Sequence, residues 1–333
     1  MICGPDLSQH TSTVTSANIY MGLGIDNSWS QEQFEEDFSI HINSIDEHDI
    51  EFDMRHVDPS IANAVRRILI SEVPTMAIEH VFFVNNTSII TEEVLAHRLG
   101  LVPIKVDPAL FEDKTNECSP NERNTVVLKL KVDCKRQGEE IINEKVYSGQ
   151  LQWLPEGSEM PEETTCRFAR SQAGAIPGGV DLVHDNILLA KMRPGQSIEL
   201  EAHCIKGVGS EHAKWSPVGT AWYRLHPELE VLQAITGLMA DEIVALCPGL
   251  FVMEGSGEQR QAKVTSARGN EMQLEKVRRL LSEEEWAKYL QLRKRKEHFI
   301  FTIQSTGALA PETLFMRAVD KLADKCDTLL GRL

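Results

Sequence analysis

The residues best equipped for chemistry lie in one run, HCIKGVGSEHAKW, from His203 to Trp215. Gly207 and Gly209 beside Lys206 and Ser210 are the types that cradle a phosphate, with backbone N–H groups around it and a lysine against its charge. A phosphate loop also needs Gly-Lys-Ser/Thr at the right distance and a helix to follow, and this run has neither. A nucleotide-binding enzyme using residues 206–212 is therefore a distant alternative. His203, Cys204 and His212 carry zinc-ligand atoms, yet adjacent residues of a strand point to opposite faces, so His203 and Cys204 do not converge on one ion. A structural histidine and a buried cysteine are the simpler reading. The other cysteines, at 3, 118, 134, 166, 247 and 326, form no CxxC and no close pair. No Ser/His/Asp order, HExxH or glycine-rich dinucleotide turn stands out, and no spaced carboxylate pair rises above an acidic background. The expectation is a chain with no catalytic residues, no cofactor and no metal.

The 333 residues suffice for two domains, or for one with a large insertion. Thirty-four Lys and Arg face fifty Asp and Glu, a net charge of −16. A chain without a basic footprint does not grip phosphates along a nucleic acid, so no direct sequence-specific DNA contact is expected. Scattered thiols fit a reducing compartment rather than a secreted disulfide framework. The start, MICGPDLSQHTST, has no basic region followed by an apolar core, and no apolar run approaches the roughly 18 residues of a membrane span. A soluble intracellular protein with no membrane partner is expected.

With no reacting groups to position, the strongest local signals organise docking surfaces. They lie between Glu51 and Val106. Asp58 stands at an N-cap and Pro59 at the first helical position, predicting a helix through Val73 that stops before Pro74. Ile61, Val65, Ile68 and Leu69 repeat at helical spacing as one apolar face, while Asn63, Arg66, Arg67 and Ile70 share another flank. That spacing also describes an ordinary amphipathic helix with a solvated arginine pair. Thr75–Val84 reads as a strand, with a hairpin turn at Asn85-Asn86 because asparagine tolerates positive φ. Thr91 caps a second helix, with Glu92 and Glu93 in its first turn, His97 and Arg98 in its last, and Gly100 as its stop.

Residues 1–37 read as an acidic, polar arm with a short helix near Ser30–Glu36. Phe38, Ile40 and Ile42, then Ile50, Phe52 and Met54, alternate with polar residues as two half-buried antiparallel strands around a turn at 46–49. Beyond Pro108 come strands at Thr125–Val132, near Val146, and at Gln150–Leu154, Ile187–Leu189 and Ser197–Ile205. Irregular Pro- and Gly-rich chain occupies 155–179, and no long helix is expected between 108 and 218. A strand from Thr220 precedes helices at Gly237–Leu246 and Ser282–Lys296, a strand at His298–Gln304 and a helix from Pro311 to Leu330. The fold class expected is α+β, with segments 38–107 and 219–333 flanking a β-rich insertion at 108–218.

In the last helix Phe315, Val319, Leu322, Cys326 and Leu329 step by four, three, four and three, the spacing of a coiled-coil seam. Burying its large members contributes about 1.5–3 kcal/mol each, against an association cost of about 4–15 kcal/mol. The seam alone would make a marginal dimer, so a lasting partner needs the first helix too. The alternative is that the seam packs on its own sheet. The basic run Arg293-Lys294-Arg295-Lys296 reads either as the cationic end of a helix or as a nuclear import signal.

The segments VDPSIANAVRRILISEVPTMAIEHV and NNTSIITEEVLAHRLGLVPI resemble the signature of the alpha-like subunits of DNA-dependent RNA polymerase. AHCIKGVGSEHAKWSPVGTAWYRL is similar to the GxxxxHAKxSP loop of the eukaryotic members. HFIFTIQSTGALAPETLFMRAVDKLADKC resembles the C-terminal strand and helix of the larger alpha-like subunit shared by polymerases I and III. The polymerase II counterpart would carry a zinc-binding cysteine cluster before the first strand of its insertion. Here NECSPNERNTVVLKL offers Cys118 alone, and one thiol does not hold tetrahedral zinc. Ferredoxin-like cysteine runs are absent as well. A zinc-bearing polymerase II-type or archaeal alpha-like subunit is thus the runner-up.

The resemblance, spanning about 40–330, implies a dimerisation domain of the polymerase alpha type, split by the insertion, and a non-catalytic assembly role. The partner would be a smaller alpha-like subunit, met through Ile61, Val65, Ile68 and Leu69 of the first helix and Phe315, Val319, Leu322, Cys326 and Leu329 of the last. The heterodimer would dock the second-largest catalytic subunits of polymerases I and III and two small zinc-bearing common subunits, supporting rRNA, 5S RNA and tRNA synthesis. Asn63, Arg66 and Arg67 are expected to face the large subunit, since guanidinium forks suit carboxylates and carbonyls. Lys206, His212, Lys214 and Trp215 are the expected contact residues of the loop, with a Trp packed over its own loop as the open alternative. The implied location is the nucleus, both nucleolus and nucleoplasm, after assembly in the cytoplasm.

Overall fold

Local signals decide the first elements. In the computed structural model, which describes residues 2–3, 8–9, 30–114, 118–255 and 260–332, the Ser30 hydroxyl caps helix α1 (Gln31–Asp37) by accepting from the Gln33 N–H at 3.4 Å. Strands β1 (Ser39–Ile45) and β2 (Asp49–Arg55) follow, their turn closed by a 2.8 Å bond from the Asp46 N–H to the Asp49 carbonyl. Alternation buries Ile50, Phe52 and Met54 on one face of β2, as expected. It does not bury β1, the last strand of the sheet, whose seven residues are all exposed. The arm at 1–29 lies outside the described residues, apart from the antiparallel pair Ile2–Cys3 with Ser8–Gln9.

The main elements continue as α2 (Pro59–Ser71), β3 (Thr75–Asn86), α3 (Glu92–Gly100), β4 (Thr125–Asp133), β5 (Gln152–Trp153), β6 (Ser197–Gly207) and β7 (Val218–Val231). Then come α4 (Gly237–Leu246), α5 (Glu271–Leu280), β8 (Leu290–Ser305) and α6 (Pro311–Leu330). Strands β7, β8, β2 and β1 are hydrogen-bonded in that order, and β5, β4, β6 and β3 in another sheet. Helices and antiparallel strands in these proportions make an α+β fold.

The chain divides into two compact units. One comprises Met1–Asn43, Glu51–Ala62 and Tyr223–Phe301. In it Phe52 stacks on Phe301 at 5.3 Å, and Tyr223 meets Phe299 edge-on at 5.1 Å. Between the end of β7 and the start of β8 the chain closes a core of its own. Ile235, Ile243, Phe251, Leu274, Val277 and Trp286 pack there, and the Leu232 N–H donates to the Tyr289 carbonyl at 2.8 Å across the base.

The other unit comprises Ser44–Ile50, Asn63–Trp222 and Thr302–Leu333. Its sheet pairs β3 with β6 from Thr75 opposite Gly207 to Asn86 opposite Ile198, and β6 with β4 from Ile205 opposite Thr125 to Ser197 opposite Asp133. Ile78, Leu95, Leu99, Leu130 and Leu200 anchor its core. Among the described residues, no helix between 108 and 218 exceeds the four residues of Pro161–Thr164, in line with a β-rich stretch. The sheet nevertheless takes in the whole of β3 from before position 108.

Three local expectations give way to long-range pairing. Asn85-Asn86 makes no hairpin, because β6 extends far enough to hold both within β3. The Asn86 side chain instead orders the next loop, accepting from the Ser88 N–H at 3.1 Å and donating to the Ile90 carbonyl at 3.0 Å. The helix expected at Ser282–Lys296 is overturned. Residues 290–305 form one sixteen-residue strand, and the helix lies upstream at Glu271–Leu280. Arg293 pairs with Glu230 at 3.4 Å and Arg295 with Glu228 at 2.8 Å, so the basic run ends no helix and half of it is matched by acids on β7. Gly100 is the last residue of α3 rather than a stop beyond it.

Candidate assembly surfaces

Asp58 caps α2 through its side chain, which accepts from the Ser60 N–H at 2.8 Å, and its carbonyl takes the Ile61 N–H at 3.1 Å. The apolar face this creates is not held open for a partner. Val65 and Ile68 are 2 % exposed and Leu69 is 0 %, with Ala62 buried beside them, so their expected role as partner-facing residues is corrected to core. Periodicity sets which side chains share a face, not what that face meets. Ile61, at 39 %, is the member of the expected set that stays exposed, joined by Ile70 at 37 % on the other flank. On that flank the Arg66 guanidinium donates to the Asn63 side-chain oxygen from Nε at 3.2 Å and Nη2 at 2.9 Å. Arg67 is exposed.

Helix α6 behaves differently. Pro311, Leu314 and Ala318 are buried and dock it. Two ion pairs fix its direction: Arg317 to Asp107 at 2.7 Å and Lys325 to Glu72 at 2.7 Å. Burial would raise the Asp107 carboxyl, but the Ala109 N–H and Arg317 hold it below the usual range. The seam residues lie beside the docked stripe and remain accessible. Phe315 and Leu322 are half-buried, Val319 is 39 % exposed, Cys326 is exposed and Leu329 is 63 % exposed. From Ala323 to Arg332 every residue is exposed. The result is an apolar ridge along the helix.

The loop after β6 is spent inside its own unit. Trp215 is 5 % exposed, its indole N–H donates to the Ile205 carbonyl at 3.2 Å, and a Cβ on Gly207 would stand 2.5 Å from its ring. Lys214 donates to the Ile78 carbonyl at 2.9 Å, pairs with Glu79 and lies 4.4 Å over the Trp215 ring. Lys206 donates to the Phe111 carbonyl at 3.2 Å and pairs with Asp113 at 3.0 Å. Lys206, Lys214 and Trp215 are therefore corrected from contact residues to internal braces, because a loop this short reaches its own sheet first. His212 remains exposed, its ring nitrogen accepting from the Lys214 N–H at 3.1 Å. Gly209 explains the second glycine of the motif: a Cβ there would stand 2.2 Å from the Ile70 carbonyl oxygen. Gly209→Ala should cost about 1–3 kcal/mol through that clash, read as a lower urea midpoint at unchanged slope. A midpoint equal to wild type would disprove the contact.

His203 and Cys204 diverge as alternation requires. Cys204 lies in the apolar core, and burial raises its thiol. His203 is 1 % exposed, with burial holding it down at about 4, so it is neutral at pH 7. Glu201, 3.7 Å away, is already committed to the Ser158 hydroxyl at 2.7 Å and the Glu159 N–H at 2.9 Å. Among the described residues no group of three His, Cys, Asp or Glu side chains is placed to hold a metal, and no helix is long and apolar enough to cross a membrane.

Sequence reasoning missed the principal polar cluster of the first unit. Asp53, 1 % exposed, accepts from Asn43 at 2.8 Å, from Arg268 at 2.6 and 2.8 Å and from His298 at 2.9 Å. Arg268 also reaches Glu51 at 2.6 Å. Nothing along the chain marks Asp53 off from the other polar residues that alternate with Ile50, Phe52 and Met54. Its partners are 10 to 245 residues away in sequence.

Residues 51–326 match the RNA polymerase Rpb3/Rpb11 dimerisation domain. A polymerase subunit of the dimerisation class, non-catalytic, is what the fold and the exposed ridge on α6 belong to. The DNA-directed RNA polymerases I and III subunit RPAC1 of Mus musculus is 40 % identical over 323 residues, covering 93 % of this chain and 88 % of the relative. Its Saccharomyces cerevisiae counterpart is 39 % identical over 344 residues, covering 98 % and 97 %. The DNA-directed RNA polymerase II subunit rpb3 of Dictyostelium discoideum is 32 % identical over 311 residues, covering 88 % and 94 %. The chain belongs to the family of alpha-like RNA polymerase subunits, on the branch of the RPAC1 proteins of polymerases I and III.

Proposed function

We propose that this chain is the larger partner of an alpha-like heterodimer that nucleates assembly of RNA polymerases I and III. The observation that carries the reading is the apolar ridge of α6, which is docked through Leu314 and Ala318 yet leaves Val319 and Leu329 accessible. A smaller alpha-like subunit would cover it, with Ile61 of α2 as the contribution of the first helix. The heterodimer would then dock the second-largest catalytic subunits and the two small zinc-bearing common subunits, in the nucleus after assembly in the cytoplasm, supporting rRNA, 5S RNA and tRNA synthesis. Segments 38–107 and 219–333 would serve as the dimerisation domain around the insertion.

Asn63, Arg66 and Arg67 are proposed to face the large subunit. Arg66→Ala with Arg67→Ala should leave the heterodimer intact and weaken capture of the second-largest subunit, since forked donors to carboxylates or carbonyls are lost. A fall of about tenfold or more, ~1.4 kcal/mol, is expected in a pull-down titration of the purified subunits. If the heterodimer itself dissociates, the flank has been assigned to the wrong partner. Purification of the tagged chain from its own cells, with the bound subunits identified by mass, tests the whole reading; polymerase II subunits in place of I and III would overturn it.

A further inference from the structure

We propose that the outer edge of β1 is a strand-addition site for a basic, β-branched extended segment of another polymerase subunit, an inference that rests on the family membership but not on the heterodimer ridge. Among the described residues β1 is the last strand of its sheet. Soluble proteins guard such edges with lysine, proline, a bulge or a covering element, because a row of unpaired N–H and C=O groups templates another chain. Ser39-Ile40-His41-Ile42-Asn43 contains no lysine and no proline, and every residue is exposed. Ile40, 43 % exposed, and Ile42, 53 % exposed, share one face by alternation. On the other face Asn43 ties the strand to Asp53 at 2.8 Å. The strand is thus held in place from one side, with two β-branched side chains uncovered on the other.

The charge around it selects the occupant. Helix α1 leads directly into β1 with Glu32, Glu35, Glu36 and Asp37, all exposed, and Phe34 stacked on Phe38 at 5.1 Å fixes the helix to the start of the strand. Arg268 is bound to Asp53 and Glu51, and Arg55 lies 3.5 Å from Asp53, while Lys296, which lines a cleft with Phe34 and Asp37, is one cation against four carboxylates. An incoming segment of alternating Ile, Val or Thr flanked by Lys or Arg meets backbone donors and acceptors, uncovered isoleucines and a carboxylate cluster together.

The test uses purified polymerases I and III and, for comparison, the chain paired only with the smaller alpha-like subunit. Amide exchange over 39–43 should slow about tenfold or more in the complete enzymes. A photo-crosslinking residue in place of His41 should label one segment bearing Lys or Arg beside Ile, Val or Thr. Unchanged exchange would overturn the proposal, as would labelling of an acidic segment or of a helix of the smaller alpha-like subunit. Ile40→Lys with Ile42→Lys should lose both signals while the heterodimer forms at wild-type affinity. Loss of the heterodimer would assign the edge to that interface and end the strand-addition reading, whereas failure of the α6 ridge leaves the edge result standing.

Discussion

Phe315→Asp combined with Leu322→Asp should abolish pairing with the smaller alpha-like subunit while leaving the chain folded. Both side chains lie on the accessible seam of α6, half-buried, whereas Leu314 and Ala318, which dock the helix, are 0 % exposed and untouched by the substitution. Full burial of such a side chain is worth about 1.5–3 kcal/mol and each is already half-buried, so the pair removes about 1.5–3 kcal/mol and weakens the complex roughly 10- to 150-fold. Two carboxylates facing an apolar partner add a desolvation cost on top. Titration calorimetry would read the affinity and circular dichroism the fold; wild-type affinity would refute the seam. The same change in α2 behaves otherwise. Val65→Asp or Ile68→Asp places a charge where exposure is 2 %, so the expected result is unfolding rather than undocking.

The second large effect belongs to Asp53. Burial alone would raise its carboxyl, but hydrogen bonds from His298, Asn43 and Arg268 outweigh that and hold it at about 2, below the ordinary 3.8. A carboxyl depressed in the folded state stabilises the fold above the unfolded value and loses that contribution as pH falls through the folded one. Asp53 therefore contributes about 2–3 kcal/mol above pH 4, declining below it and nearly gone by pH 2. Asp53→Asn removes this contribution and deprives Arg268 of a buried partner, for a loss of about 3–5 kcal/mol near neutral pH. Glu51, at 2.6 Å from Arg268, remains and keeps the loss toward the lower end. Urea unfolding of both proteins from pH 7 to pH 2.5 should show the two stabilities converging in acid. Parallel curves would mean that the carboxylate is not what Arg268 and His298 hold.

Much of the fold was legible because its signals are local. Asp58-Pro59 starts α2, Pro311 starts α6 at the expected residue, and α4 has the predicted limits. Ser30 caps α1 where the short helix was expected. The errors cluster where a distant strand overrides the local tendency. Residues 290–297 read as helix in isolation, yet the ladder with β7 and β2 and the pairs Arg293–Glu230 and Arg295–Glu228 hold them extended. Asn85-Asn86 reads as a turn and is strand for the same reason. In the candidate surfaces the residue types were identified more reliably than their exposure. Trp215 and Lys214 have the composition of interface anchors but are occupied by Gly207, Ile205, Ile78 and Glu79.

By itself the sequence determined the starts of α1, α2, α3, α4 and α6 and the two periodic apolar stripes, since caps and spacing are properties of one continuous segment, and its long motifs carried the resemblance that named the class of protein. Tertiary structure decided which stripe is already covered. The central residues of α2 are closed off within the chain whereas the seam of α6 leaves Val319, Cys326 and Leu329 open, because burial depends on what another part of the chain brings against a face. The Asp53 cluster has the same origin: its members are scattered along the chain and acquire their charges' meaning only when the sheet sets them within hydrogen-bond reach.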